Sequence, residues 1–204
     1  MSERTVLVPG ARRVEATLEE STDGAEACVV ACPPHPQDGG HRGDRRLRAV
    51  ADALTDGGIA VLRFDYGPWD EGRGEREDTR NALRWAAERY DRVGIVGFSF
   101  GGAMAARAAA STAVDLCGVA LLAPATRGTD DSDAAETLQA IDAPVAVIYG
   151  TRDPTVEWQP FYRAGKATDA VIEPIDADHS FVGQLGTVAP TVGGFLLEHC
   201  DGSA

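Results

Sequence analysis

Ser99 lies in Gly97-Phe98-Ser99-Phe100-Gly101, directly after the apolar run Val93-Gly94-Ile95-Val96 and directly before Gly102-Ala103-Met104-Ala105-Ala106. That order reads as strand, sharp turn and helix, with the serine hydroxyl presented at the strand's end as a nucleophile. Side chains two residues to either side of so tight a turn would meet neighbouring backbone, so glycine suits both places, Gly97 and Gly101. A helix that opens near Phe100 also turns its free N–H groups toward the same point, where an anion is favoured.

A serine hydroxyl ionises very little at neutral pH, so it needs a base within hydrogen-bond reach, and the base needs an orienting acid. Of the four histidines, His179 is the natural base. His199 falls in the terminal helical stretch, while His35 and His41 fall in a Pro/Gly loop better suited to binding an oxyanion. Asp153 is the natural acid, just past an apolar strand at 145–149 and ahead of the histidine in sequence. Asp176 and Asp178 stand too close to His179 along the chain to reach its ring easily. The competing reading makes Asp153, in Asp153-Pro154, a turn former or helix cap. Charge on a substrate carbonyl oxygen must meet prearranged N–H donors. One is the N–H of Phe100. The other should come from the loop after Cys32, where Pro33, Pro34 and Pro36 have none to give, which selects Gln37, with Asp38 next. His41 with Asp38 and Asp44 matches no common metal spacing, so neither a metal nor another cofactor is expected.

These residues need a frame. Residues 27–32, 59–64, 119–123 and 145–149, with the run opening at Val93, are apolar almost throughout, Arg63 excepted, the pattern of strands buried on both faces. Residues 6–9 and 14–19 are shorter candidates for an antiparallel edge, the second alternating Val14, Ala16 and Leu18 with polar residues. Residues 170–175 form the last strand. Helical spacing appears over 45–55 (Leu47, Val50, Ala51, Leu54) and over 78–90 (Leu83, Ala86, Ala87). A polar connector at 126–133 leads to a small helix at 134–140. Another helix is expected near Trp158, Phe161 and Tyr162, and a closing one at 188–200 despite Gly193-Gly194. Strands alternating with helices predict an α/β protein, a three-layer α/β/α sandwich in a single domain over 1–204. In such sheets functional loops gather at the carboxyl ends of the strands, and Ser99, Asp153 and His179 each follow a different strand there.

Composition narrows the function classes. A chain of 204 residues can bury a sizeable core. Its 32 acidic against 19 basic residues give a net charge of −13, which excludes partners recognised through their phosphates, nucleic acid and anionic membrane surfaces alike. Lys166 is the single lysine. So acid-rich and lysine-poor a chain suits high ionic strength, where salt screens its self-repulsion, and a salt-adapted protein is expected. No apolar run is long enough to span a bilayer, and Met1-Ser2-Glu3-Arg4-Thr5 lacks the basic-then-apolar profile of a signal peptide, so a cytoplasmic location is expected. Cys28, Cys32, Cys117 and Cys200 fit no zinc pattern. Cys28 and Cys32 lie in an apolar strand as small buried hydrophobes, and the cysteines are assigned no function.

The order Ser99, Asp153, His179, the turn around Ser99 and the sequence of strands and helices resemble the α/β-hydrolase superfamily over nearly the whole chain. His35-Pro36 through Gly39-Gly40, Arg63-Phe64-Asp65 and Gly74-Glu75 before a helix look most like its small, lidless members related to dienelactone hydrolases. The resemblance implies a mostly parallel sheet of about eight strands and acyl-transfer hydrolysis. Two departures bear on substrate: Tyr66-Gly67-Pro68-Trp69 replaces an Arg-Gly turn, and the nucleophile is Ser where dienelactone hydrolases carry Cys.

The expected function is therefore hydrolysis of carboxylic esters or thioesters of a small molecule, by way of an acyl-enzyme. Lactone or peptide cleavage by the same three residues, or a non-catalytic receptor that keeps the pocket, are the alternatives. Between 126 and 143 there is room for one small helix and no substantial lid. An open site walled by Phe100, Trp69, Trp158, Phe181 and the 33–43 loop is expected. Arg42, Arg45 and Arg46 could steer an anionic substrate, but read first as a solvated helix start. A homo-oligomer is compatible with the sequence.

Overall fold

The computed structural model describes residues 2–22, 24–126 and 133–202. Eight strands build one sheet: β1 (Ser2–Val8), β2 (Val14–Glu20), β3 (Ala27–Cys32), β4 (Ala60–Phe64), β5 (Arg92–Phe98), β6 (Leu116–Leu122), β7 (Val145–Gly150) and β8 (Val171–Ile175). They run in the order β1-β2-β4-β3-β5-β6-β7-β8. β2 is antiparallel to both β1 and β4, and every pairing from β4 through β8 is parallel. The helices are α1 (Arg45–Asp56), α2 (Arg73–Ala87), α3 (Phe100–Ala109), α4 (Gln159–Ala167) and α5 (Leu185–Cys200), with 3₁₀ turns at Pro36–Asp38 and Ala134–Ala140.

Every residue of β3, β4 and β7 is buried, as apolar strands require when helices cover both faces, and the one charged residue among them, Arg63, is paired with Glu19. One core joins Val30, Leu62, Ile95 and Leu121 to Leu83, Met104 and Phe161 of α2, α3 and α4. The other joins Val29, Val61, Val96 and Ile148 to Leu47, Leu54, Val192 and Leu196 of α1 and α5. This is the predicted three-layer α/β/α arrangement, and the strands read at 6–9 and 14–19 are its antiparallel edge, the first starting at Ser2.

Two boundaries differ from the periodicity. α2 begins at Arg73 rather than residue 78, because Glu75 reaches back to accept the N–H of Gly72 at 2.7 Å and caps a first turn with no apolar face to betray it. α5 begins at Leu185, three residues before the predicted start. Of the connector read at 126–133, residues 127–132 lie outside the described residues. No helix among the described residues is long and apolar enough to cross a membrane.

The cysteines divide in a way their spacing does not announce. Cys117 of β6 and Cys200 at the end of α5 form a disulfide across 83 residues, stapling the last helix to the sheet, so the assignment of no function is corrected for this pair. Cys28 and Cys32 are free and fully buried, and burial pushes both thiols far above their ordinary range, as small hydrophobes would be.

Candidate active site

At the end of β5 the backbone of Ser99 takes φ 56° and ψ −117°, a strained conformation for a residue with a side chain. The turn is held on both sides. Ser99 N–H donates to Leu122 O at 2.9 Å, and Ser99 O accepts from Gly102 N at 2.9 Å and Ala125 N at 3.0 Å. A Cβ on Gly97 would collide with the carbonyl of Gly101, and one on Gly101 with the carbonyls of Cys32 and Pro33. The two glycines thus let the start of α3 lie against both its own strand and the end of β3. All ten residues of α3 are buried, which explains their small size.

β7 and β8 bring the other two groups. Thr151 N–H donates to Ile175 O at 2.9 Å and Arg152 N–H to Ala177 O at 3.0 Å, so the loops after these strands run side by side. Asp153 Oδ2 lies 2.7 Å from His179 Nδ1, and His179 Nε2 lies 2.9 Å from Ser99 Oγ. The Asp153 side chain is fully buried and that of His179 nearly so. The second oxygen of Asp153 accepts from Thr155 N at 2.7 Å and Val156 N at 3.1 Å, so the turn-forming reading of this residue also holds: one carboxylate does both. Asp176 pairs instead with Arg152 at 2.6 Å, and Asp178 accepts from Val182 N. With a carboxylate at Nδ1, the imidazole carries its proton there and offers Nε2 as acceptor to the Ser99 hydroxyl.

The expected oxyanion donors fare differently. Phe100 opens α3, where its N–H has no intrahelical partner. Gln37 does not face the serine: its N–H donates to His35 Nδ1 at 3.3 Å inside the 3₁₀ turn. Asp38, the next candidate, donates to His35 O at 3.1 Å. The choice of Gln37 is corrected accordingly, because the turn that follows the prolines consumes its own amides. Among the described residues the N–H of His35 has no acceptor within the protein, and His35 sits in the wall of the cleft that contains Ser99 and His179.

That cleft encloses about 360 Å³ and is lined by Pro34, His35, His41, Arg46, Phe98 and Thr155 among others. Of the expected aromatic walls, Phe100 and Trp69 pack against His35, with ring centroids at 4.8 and 4.6 Å, and so stand behind the cleft's wall rather than in its lining. Trp158 instead stacks on Tyr149 at 4.4 Å, and Phe181 is fully buried in the core behind Phe98, so neither lines the cleft. Of the three arginines at the start of this helix region, Arg46 alone lines the cleft. Its guanidinium lies 4.1 Å over the Phe98 ring and donates to Ser180 O at 3.2 Å, paired with the helix cap Asp44. Its place in the first turn of α1 puts it there.

Comparisons with known proteins agree with this layout. Among solved structures, an alpha-beta serine hydrolase homologue from Coxiella burnetii superposes with a TM-score of 0.80 at 24% identity, covering 95% of this chain and 97% of that one. A serine hydrolase without a lid from Xanthomonas campestris gives 0.82 at 21% identity, covering 99% and 97%. A dienelactone hydrolase from Anabaena variabilis gives 0.79 at 22%, covering 98% of each. A search of curated proteins finds no significant match. The family model described as an alpha/beta hydrolase domain matches residues 38–185, most of the chain, and the protein belongs to the alpha/beta hydrolase family.

Proposed function

We propose that this protein is a serine hydrolase that cleaves carboxylic ester or thioester bonds of a small substrate, with Ser99, His179 and Asp153 as its catalytic residues. The observation that carries the reading is the unbroken relay of 2.7 and 2.9 Å from a buried carboxylate through an imidazole to a strained serine.

As Ser99 Oγ attacks the carbonyl carbon, His179 Nε2 takes its proton, and Asp153 stabilises the imidazolium that forms. The substrate oxygen becomes an oxyanion, received by the N–H of Phe100 and, in place of Gln37, the N–H of His35. Collapse of the tetrahedral species expels the alcohol or thiol, which leaves with the proton from His179, and Ser99 is acylated. Water then repeats the sequence, with His179 as base, and releases the acid and free Ser99. No step asks for a metal or cofactor. A small substrate is favoured by the modest cleft and by the absence of any helical lid among the described residues between β6 and β7.

The test is hydrolysis of p-nitrophenyl esters of increasing acyl length, with fluorophosphonate labelling as an independent measure of the nucleophile. Wild type should be labelled and turn over the esters. Ser99→Ala should lose roughly four or more orders of magnitude in kcat, as serine hydrolases do without their nucleophile, with unchanged circular dichroism. Wild type that is neither labelled nor active would favour the receptor reading and reject this one.

A further inference from the structure

We infer that Arg12, in the turn between β1 and β2, is a positioning residue for this reaction, holding the 66–72 loop so that Trp69 packs on the residues that carry the two oxyanion donors. The inference rests on the ester-hydrolase reading above.

Arg12 is remote from Ser99 in sequence and belongs to the antiparallel edge of the sheet, yet its guanidinium points inward with only 18% of the side chain exposed. Nη2 donates to Pro68 O and, at 3.1 Å, to Glu75 Oε1, while Nε lies 3.1 Å from Asp78 Oδ2. Both carboxylates are fully buried. Each also receives backbone donors from the same loop: Glu75 from Asp70 N at 3.0 Å and Gly72 N at 2.7 Å, Asp78 from Gly67 N at 2.9 Å. Gly67 and Gly74 leave the room that the guanidinium occupies, since a Cβ on either would run into it. One cation thus fixes two buried anions, and the two anions fix the loop's amides at three points.

That rigidity holds two aromatic rings of the loop against the residues beside Ser99. Trp69 sets its ring 4.6 Å from His35 and 5.7 Å from Phe100, and Tyr66 places its ring edge-on to Phe100 at 5.7 Å. His35 and Phe100 are the residues whose backbone N–H groups receive the oxyanion in the mechanism above. A buried ion network with more acid than base is a poor way to gain stability compared with an apolar core. It is a good way to hold a backbone segment in one place. Because donors must meet the oxyanion within a few tenths of an ångström, a loosened loop should slow the chemical step more than it weakens substrate binding.

The test is a double-mutant cycle on p-nitrophenyl acetate hydrolysis with wild type, Arg12→Lys, Trp69→Leu and the double variant, with Tm measured for each. Arg12→Lys keeps the cation but cannot reach both carboxylates and Pro68 O in one geometry. It should lower kcat by about tenfold or more with KM changed less than about threefold, since a misplacement on the scale of an ångström costs up to a hundredfold. The double variant should be scarcely slower than the worse single variant, because both act through one loop. Losses that multiply, or an Arg12→Lys protein with lowered Tm but kcat within twofold of wild type, would overturn the inference while leaving the hydrolase reading intact. A wild-type protein without turnover would overturn both. Should Arg12→Lys fail to fold, Glu75→Gln takes its place in the cycle: Asp70 N–H and Gly72 N–H donate to different oxygens of Glu75, so the single amide oxygen leaves one of them without an acceptor and loosens the same loop, with the same outcomes deciding.

Discussion

Replacing Asp153 by Asn probes the relay at its deepest point. The new amide has two orientations. Thr155 N–H and Val156 N–H both donate to Asp153 Oδ1, at 2.7 and 3.1 Å, so the amide oxygen is drawn to that side. The reverse orientation would set the NH₂ group against two N–H donors, forfeiting two hydrogen bonds at about 1 kcal/mol each and adding repulsion. In the favoured orientation the NH₂ faces His179 Nδ1 across the present 2.7 Å, and the ring answers as acceptor there. Its proton moves to Nε2, the nitrogen 2.9 Å from Ser99 Oγ, and the base is lost while every backbone contact of the turn survives. The expected cost is about 10³–10⁴ in kcat, equivalent to about 4–5.5 kcal/mol of transition-state stabilisation. Steady-state turnover of p-nitrophenyl acetate and the second-order rate of fluorophosphonate labelling should fall together, with Tm nearly unchanged. An Asp153→Asn protein that keeps more than about a tenth of wild-type kcat would refute the reasoning, and so would a loss of activity that merely tracks unfolding.

Three further expectations concern the frame. Closing a loop across 83 residues restricts the unfolded chain by about 4–5 kcal/mol, so reduction or Cys117→Ser should lower Tm by about 10 °C in a protein of this size. Thiol titration of the denatured, unreduced protein should find two free thiols, Cys28 and Cys32; four thiols, or coincident melting curves with and without reductant, would remove the staple. Asp78 is held above the ordinary carboxylate range, by burial first and by Glu75 among its neighbours, against the lowering pull of Gly67 N–H and Arg12. A raised value means the fold holds this proton more tightly than the unfolded chain does, so ionising Asp78 costs stability as pH climbs above about 4. Asp78→Asn cannot ionise, and its Tm relative to wild type should therefore improve between pH 4 and pH 7; a difference that shrinks over that range would mean Arg12 outweighs burial. Finally, 32 acidic against 19 basic residues should make the fold more stable in molar KCl than in dilute buffer, and equal thermal midpoints in the two would end the high-salt expectation.

The two ends of the molecule differ in how openly the chain announces them. Apolar runs at β3 and β7 can be satisfied only between two layers of helices, and Gly97 and Gly101 around Ser99 answer a steric demand of the turn itself. Such features are local: periodicity and backbone geometry act over a few residues, so the linear order of Ser99, Asp153 and His179 already assigned each to a strand end. Where the outcome depended on which of several competing partners a group meets in space, linear order was silent. Three prolines without N–H groups point to Gln37 as donor, but a 3₁₀ turn closing on His35 takes its amide. Phe181 and Trp158 carry the composition of a pocket wall, yet one faced the core and the other a neighbouring tyrosine. The union of Cys117 with Cys200 and the reach of Arg12 to Glu75 and Asp78 join groups far apart along the chain, and only packing decides such encounters. The sequence by itself determined the parallel sheet, the turn at Ser99 and the candidates for its relay. The tertiary structure alone decided which amides stay free beside the serine and which distant side chains hold the loop that faces it, because those are choices among partners that no short stretch of chain contains.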